Sequence, residues 1–243
     1  GISASRRPGH AIIEVTVHVF VTPKVTPIME RSKRLYASDL RDEQARQTRW
    51  RIVAAASKLF VERGFATTTV DAIAAEAGVS RKTVFTAVGG KVELLKLAYD
   101  FAMSQDDLPL TMKERPGLRQ VAGEPDDYRS MALYAAFVTD ASCRISGLYL
   151  ALRGAAEVDD EARELYDSWE RERRQAMLAG PIARLVANGT LRDGLTADEA
   201  ADVLSLLVAP STYHSLVVRG GWIPERFRDW FLDTILQTLM APR

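Results

Sequence analysis

The feature that most constrains the fold of this 243-residue chain is the segment spanning residues 68–88. Ala74 supplies a small residue where two short helices can cross, and Gly78 supplies a residue that tolerates a positive φ at the turn between them. Ser80 then provides an N-cap for the second helix. Apolar residues spaced to fill the gap between two such helices are Ile73, Ala77, Val79 and Val84. The segment therefore predicts a helix-turn-helix.

The second of these helices, expected over residues 81–87, carries polar residues on the face that packing leaves exposed. Two cations and two hydroxyls suit contacts with phosphates and base edges of DNA, and they are supplied by Arg81, Lys82, Thr83 and Thr86. The alternative is an ordinary helical hairpin with a basic surface. We favour the first interpretation because several spacing constraints coincide within one short segment.

The flanking residues add four further motifs: a helix ending Leu59-Phe60 with Gly64-Phe65, the run Thr67 to Ala74, Ala77-Gly78-Val79-Ser80 with Thr83-Val84-Phe85, and Lys91 followed by Leu94-Leu95. Together these motifs, over residues 44–103, resemble the tetracycline-repressor (TetR) family. The remaining C-terminal residues are similar to that family only in the number and spacing of predicted helices.

The resemblance implies roles for individual residues. Thr69 matches a position that touches phosphate, and residues 80–83 match the recognition helix that enters the major groove. Lys91 matches a phosphate-contacting lysine at a helix N-terminus, where backbone amides also favour anions. Phe85 stands where the family usually has Tyr, so a contact by that hydroxyl is absent. Residues 87–90 also depart from the family pattern.

Arginines near the start of the first helix form a basic arm that can reach the DNA backbone or the minor groove. A solvated charged surface is an equally weighted alternative for each of them. The predicted DNA-contacting set is Thr69, Ser80, Arg81, Lys82, Thr83, Phe85, Thr86, Lys91 and Arg49.

The net charge is zero, but residues 1–102 carry 16 Lys and Arg against 10 Asp and Glu, a balance of +6, which leaves −6 for the remainder. A basic N-terminal part can meet phosphates that an acidic C-terminal part would repel. The single cysteine excludes an internal disulfide framework. No stretch of 18 apolar residues or secretory signal is recognisable, so we expect a cytoplasmic protein without a membrane partner.

The N-terminal residues 1–43 are predicted to be an extension outside the folded domains, in part a tag remnant or disordered. The chain begins with Gly1, and Met29 is an alternative natural start. Within this extension, residues 13–21 alternate with a period of two, which is typical of a strand, yet no later segment offers it a partner. The other alternative is an arm that pairs with its twin across a dimer.

Hydrophobic periodicity and capping residues predict an all-α fold, with a three-helix helix-turn-helix domain over 44–90 and a larger helical domain over 91–243. The resemblance implies that this larger domain binds a ligand and dimerises. Residues 105–125 are rich in Pro and Gly, so we expect a loop with at most one helical turn. Helices are expected over 44–63, 91–104, 126–155, 159–188, 196–219 and 224–240. Gly180-Pro181 and Pro210 should kink two of them.

In the similar family the C-terminal domain binds a small molecule, and its last two helices form a dimer interface. Apolar faces on the last two predicted helices agree with an interface, although monomer core is the alternative. The predicted interface residues are Leu206, Tyr213, Phe227, Trp230, Phe231, Ile235 and Leu239. Ligand contacts are predicted from aromatic, sulfur and imidazole side chains, with ordinary core as the alternative for each: Tyr134, Phe137, Cys143, Tyr166, Trp169, Met177 and His214.

These observations predict a homodimeric regulator that binds double-stranded operator DNA, acts as a repressor, and is released by a small apolar or aromatic effector. A dimeric DNA-binding regulator without a ligand is the second hypothesis. An enzyme is the third and least favoured, because no nucleophile elbow, phosphate-binding loop or dinucleotide fingerprint is recognisable. We expect no catalytic residues, no cofactor and no metal site.

Overall fold

The computed structural model of the protein describes residues 28–104 and 114–242, with side chains from residue 42 onward. Over these ranges the chain forms the helices α1 Ile28–Arg63, α2 Val70–Ala77, α3 Arg81–Ala87, α4 Lys91–Ser104, α5 Pro116–Gly123, α6 Asp127–Ala155, α7 Asp160–Met177, α8 Ala183–Ala187, α9 Ala197–Leu207, α10 Pro210–Tyr213 and α11 Pro224–Leu239. Their β-pairing is limited to one isolated bridge between Leu191 and Met240. The predicted all-α fold is confirmed.

Two predictions about the connecting segments are wrong. The first helix begins at Ile28, whereas it was expected to begin at residue 44. Residues 30–43 contain no Gly or Pro and include three Arg, two Leu and two Glu, which favour helix. Within 105–125 the structure contains α5, a helix of eight residues whose first position is Pro116. Proline is tolerated there because the first helical N–H has no partner within the helix.

The chain divides into two compact units, Gly1–Glu43 and Gln44–Arg243. The described part of the first unit, from Ile28, is helical. The predicted strand within 13–21 lies outside the described residues. The predicted domain boundaries at 43/44 and 90/91 stay predictions.

The second unit contains two hydrophobic clusters. The first cluster joins α1 to α4 with the C-terminal end of α6, and its largest buried members are Ile52, Leu59, Phe60, Ile73, Leu94, Leu95, Leu148 and Leu152. The second cluster joins the N-terminal half of α6 to the helices that follow it, through Met131, Ile182, Leu204, Phe227, Phe231 and Ile235. Because α6 contributes to both, it is the structural connection between the helix-turn-helix and the C-terminal helices.

The predicted proline effects differ in kind at the two positions. Pro181 lies inside a π-helical segment, Leu178–Ile182, which continues α7 into α8. A wider turn of this kind accommodates a residue that lacks an N–H donor. Pro210 instead occupies the first turn of α10, after α9 has ended at Leu207. The expected kink is therefore a break between two helices.

No single helix among the described residues is both long and apolar enough to cross a membrane. Taken together, Ala197–Leu207 and Pro210–Arg219 reach the required length and composition, but they are bent by 44° at the break between them.

Candidate nucleic-acid interface and adjoining cavity

The turn between α2 and α3 is built from the residues that the sequence singles out. Gly78 ends α2 with a φ of 66°, in the left-handed region. The N–H of Val79 donates to the carbonyl of Ala74 at 3.0 Å, which closes the helix end. Ser80 then caps α3 by accepting a hydrogen bond from the backbone N–H of Thr83 at 3.0 Å. The cap leaves Arg81 at the exposed start of α3.

Two adjacent threonines fix the start of α2. Thr69 is its N-cap, and its hydroxyl accepts from the N–H of Ala72 at 3.1 Å. Thr68 is fully buried, and its hydroxyl lies 3.1 Å from the carbonyl of Leu59 and 2.7 Å from that of Gly64. Because Leu59 lies near the end of α1 and Gly64 directly follows that helix, Thr68 ties α2 to the end of the first helix. The sequence reasoning missed this role, since a buried hydroxyl leaves no periodic signal.

Arg81 is exposed but has two neighbours within the chain. Its guanidinium lies 2.6 Å from the carboxylate of Asp71 on α2 and 5.5 Å from the centre of the Phe85 ring. Phe85 is itself 45% exposed. An ion pair this exposed contributes at most about 1 kcal/mol, so a phosphate can replace the carboxylate at small cost. The sequence reasoning did not identify Asp71, although an opposite charge across so tight a turn is a usable signal.

The other polar residues of α3 divide into inward and outward groups. Lys82 is exposed, and Thr86 is exposed with its hydroxyl donating to the Lys82 carbonyl at 2.9 Å. Thr83 is half-buried, with its hydroxyl 2.8 Å from that of Ser80. The hydroxyls of Ser80 and Thr83 therefore stabilise the helix start, while Lys82 and Thr86 remain available at the surface.

Lys91 and Arg49 flank this module. Lys91 begins α4, and its ammonium lies 3.9 Å from the centre of the Phe65 ring. Partial burial lowers the pKa of Lys91, with the charge of Asp159 opposing that shift. Arg49 is exposed on α1 and also borders the cavity described next. Neither residue lies on α3, so any DNA contact by them would extend the surface beyond the second helix of the motif.

A cavity of about 1260 Å³ lies between α1, α4, α6 and α7. It is somewhat larger than the roughly 300–1,000 Å³ of most small-molecule sites. Four predicted ligand residues line it: Tyr134, Phe137, Trp169 and Met177. Among the described residues, no group of three or more His, Cys, Asp or Glu side chains could hold a metal ion.

Three predicted ligand residues do not line this cavity. Cys143 is exposed, because it falls on the outer face of α6. The hydroxyl of Tyr166 lies 3.2 Å from that of Tyr149, so Tyr166 supports a wall residue from behind. His214 is half-buried in the π-helical segment after α10. Their roles as ligand contacts stay predictions.

Residues of α1 and α4, the helices that flank the helix-turn-helix, also line the cavity. Tyr99 and Phe101 of α4 and Trp50 of α1 all line it. The ring centres of Tyr99 and Trp169 lie 4.0 Å apart, and burial raises the pKa of the Tyr99 hydroxyl. Large apolar residues in the last turns of α4, beyond those that fill the first cluster, are the signal that could have predicted this contribution.

Most of the predicted dimer-interface residues belong to the chain's own core. Tyr213, Phe227, Phe231, Ile235 and Leu239 are each at most 2% exposed in the single chain, because α11 packs its apolar face against α6. Their place in the core of the single chain is established, and their contact with a second copy stays a prediction. Trp230 is half-buried, and Leu206 is 70% exposed.

A capped helix-turn-helix joined to a larger set of helices around a cavity defines a class of helical DNA-binding regulators. Residues 52–98 match the sequence model of the family described as "Bacterial regulatory proteins, tetR family". These residues include α2, α3 and the buried C-terminal end of α1. Over this helix-turn-helix segment the chain is similar to this family. A curated relative, the HTH-type transcriptional regulator TtgW of Pseudomonas putida, is 43% identical over 53 residues, covering 22% of this chain and 40% of the relative.

Solved structures resemble the fold over most of the chain. NalD, titled the secondary repressor of the MexAB-OprM multidrug efflux pump in Pseudomonas aeruginosa, has a TM-score of 0.61 at 19% identity, covering 82% of this chain and 100% of NalD. A regulator from Saccharomonospora viridis, solved in complex with choline, has the same TM-score and identity, covering 81% of this chain and 99% of that protein. At these identities the likeness concerns the fold.

Proposed function

We propose that the protein is a dimeric transcriptional repressor that binds operator DNA through α3 and releases it when a small molecule occupies the cavity. The observation that carries the proposal is the exposed N-terminal turn of α3, where Arg81 and Lys82 follow the Ser80 cap. NalD, a repressor with the same fold, supports the sign of regulation. The structure with bound choline supports a ligand site in such a fold.

The cavity supports a ligand-responsive regulator over a ligand-independent one. Its wall includes Tyr99 and Phe101 of α4, and the buried residues of α4 pack with α1 to α3 in the first cluster. A ligand that contacts α4 can therefore favour one position of the motif over another. In a dimer the two recognition helices must lie about 34 Å apart to enter successive major grooves. Ligand and DNA then oppose each other reciprocally if they favour different spacings.

The dimer in this proposal uses the apolar residues that the fold leaves outside its core. Leu206 and Val203 on α9 are exposed, and Trp230 on α11 is half-buried. These side chains, rather than the buried face of α11, are available to a second copy. Exposed apolar side chains on α9, together with a half-buried tryptophan on α11, are the surface that this proposal assigns to the interface.

The test is a gel-shift titration with the DNA that flanks the protein's own gene, at fixed salt, comparing wild type with the double variant Arg81→Ala/Lys82→Ala. Each lost base or phosphate contact is worth about 1–3 kcal/mol, so we expect operator affinity to fall by about 30-fold or more. The control is Arg163→Ala/Arg171→Ala, which removes two exposed cations from α7. Equal affinity of both double variants would refute the placement of the interface on α3.

A further inference from the structure

The cavity is elongated, and its long wall is one face of α6. Residues of α6 line it from Tyr134 to Tyr149, at spacings of three and four residues. Fifteen helical residues span about 22 Å at 1.5 Å per residue. α7 runs antiparallel to this wall, because Tyr134 contacts Met177 whereas Tyr149 contacts Glu170. The cavity therefore has two ends with different side chains.

At the Tyr149 end the charged groups of α7 neutralise each other. The hydroxyl of Tyr149 donates to Glu170 at 2.7 Å, and Arg173 forms a two-pronged ion pair with the same carboxylate. The Nε of Arg173 also lies 3.2 Å from the carbonyl of Ser205. A charged ligand at this end would have to break a satisfied pair, which leaves an uncompensated charge in a poorly solvated site.

Of the other charged residues around the cavity, four are exposed and one is half-buried, with its guanidinium donating to the carbonyl of Ser104 at 3.3 Å. Arg46, Arg49, Asp100 and Glu172 are exposed, and Arg115 is half-buried. Both signs of charge are present, and water screens charges at the surface. These residues therefore create no strong preference for an anion or a cation in the interior.

The Tyr134 end presents a buried hydroxyl beside apolar side chains. Tyr134 is 5% exposed, and among the described residues its hydroxyl hydrogen-bonds only the Met177 sulfur, at 3.0 Å. A thioether is a weak acceptor, so a carbonyl or ether oxygen is a better partner for this donor. Burial raises the pKa of Tyr134, which keeps the hydroxyl protonated and able to donate. Phe137 and Pro210 also line the cavity and supply apolar surface.

We propose that the cavity takes an uncharged, ring-containing molecule that presents one hydrogen-bond acceptor to the Tyr134 hydroxyl. Aromatic rings of Tyr99, Phe101 and Trp169 supply the surfaces against which a planar ligand packs. The paired charges at the Tyr149 end disfavour ions, and the weakly partnered hydroxyl selects an acceptor. That this molecule is the effector of the repressor rests on the proposed function, whereas its binding to the cavity does not.

The test uses four naphthalenes that differ in one substituent, titrated by calorimetry into the full chain without DNA. 2-Acetylnaphthalene is neutral with an acceptor, 2-isopropenylnaphthalene has the same shape without it, 2-naphthoate is an anion, and 2-(aminomethyl)naphthalene is a cation. A hydrogen bond worth about 1 kcal/mol corresponds to about fivefold in Kd, so we expect the acetyl compound to bind about fivefold tighter than the isopropenyl compound. We expect both neutral compounds to bind at least tenfold tighter than either ion.

The variant Tyr134→Phe should abolish the difference between the two neutral compounds while leaving the Kd of the isopropenyl compound within about twofold. A second variant, Met177→Leu, removes the sulfur that the Tyr134 hydroxyl contacts. We expect the difference in Kd between the two neutral compounds to persist or widen in this variant. It serves as the readout if Tyr134→Phe does not fold. The proposal would be overturned if either ion bound more tightly than the neutral compounds, or if the neutral compounds did not bind. It would also be overturned if the difference in Kd between the two neutral compounds persisted in Tyr134→Phe or vanished in Met177→Leu.

The result of these titrations is independent of the gel-shift test of the proposed function. The titrations contain no DNA, so their failure leaves the gel-shift comparison of Arg81 and Lys82 variants unaffected. If instead the neutral compounds bind as expected but fail to release the protein from operator DNA, the cavity assignment stands and the effector role is refuted.

Discussion

Replacing Asp127 should test whether a buried ion pair holds the C-terminal helices together. Asp127 lies in the first turn of α6, and its side chain is 4% exposed. Its carboxylate receives Arg184 Nε at 2.6 Å, Asn188 Nδ2 at 2.9 Å and Thr190 Oγ1 at 2.5 Å. The same guanidinium also donates to the carbonyl of Glu124. One carboxylate therefore joins the start of α6 to α8 and the residues that follow it.

The expected cost follows from the burial of this pair. Removing one partner of a buried ion pair typically costs about 3–5 kcal/mol, because the remaining charge and donors stay buried without compensation. For a chain of this size, 1 kcal/mol shifts Tm by about 2–4 °C, so Asp127→Ala should lower Tm by about 6–20 °C. The matched control is Asp198→Ala, which removes an ion pair to Arg174 from an exposed carboxylate and should cost at most about 1 kcal/mol.

The pH dependence of a second variant at this position, Asp127→Asn, gives an independent check. Burial alone would raise the pKa of Asp127, but hydrogen bonds from Thr190, Arg184 and Asn188 outweigh it and hold the pKa below its usual value of 3.8. A depressed carboxyl pKa stabilises the fold above the unfolded value, and this stabilisation is lost as pH falls through the folded value. We expect the difference in unfolding free energy between wild type and Asp127→Asn to be constant near neutral pH and to shrink below pH 3.8. Denaturation at fixed protein concentration measures both the change in Tm and the pH dependence of the unfolding free energy. Equal losses of stability for Asp127→Ala and Asp198→Ala would refute the reasoning.

Three further changes test the interface and the turn. Asp71→Asn removes the internal partner of Arg81 and a charge that repels phosphate, so operator affinity should rise about two- to fivefold in the gel shift, and weaker binding would contradict this. Gly78→Ala places a Cβ in the left-handed region with no atom within 4 Å of it, so chemical denaturation should show a loss of about 1–2 kcal/mol, and a much larger loss would indicate a steric cause. Leu206→Glu should shift the dimer toward monomer in sedimentation without lowering Tm of the monomer, and an unchanged mass would place the interface elsewhere.

The helix-turn-helix could be predicted residue by residue because its determinants are local. Gly78 at the turn and Ser80 at the cap act within a few residues, through a backbone angle and a side-chain hydrogen bond. Thr69 caps α2 by the same mechanism. Apolar spacing within so short a segment leaves a single way to pack the two helices. Residues that are close in sequence contact one another in this segment, so the sequence pattern determines how α2 and α3 pack.

Hydrophobic periodicity shows that one face of a helix is buried, but it does not show which other element that face packs against. The stripe from Phe227 to Leu239 requires burial, but a stripe buried against α6 and one buried against a second copy have the same spacing. The structure resolves the ambiguity because α6 is long enough to meet α4 at one end and α11 at the other. The same argument applies to the cavity. Tyr134 and Leu148 both lie on α6 and are both buried, yet only Tyr134 lines the cavity, because Leu148 packs into the first cluster. A cavity is a property of the spacing between helices, so no pattern within one helix predicts it.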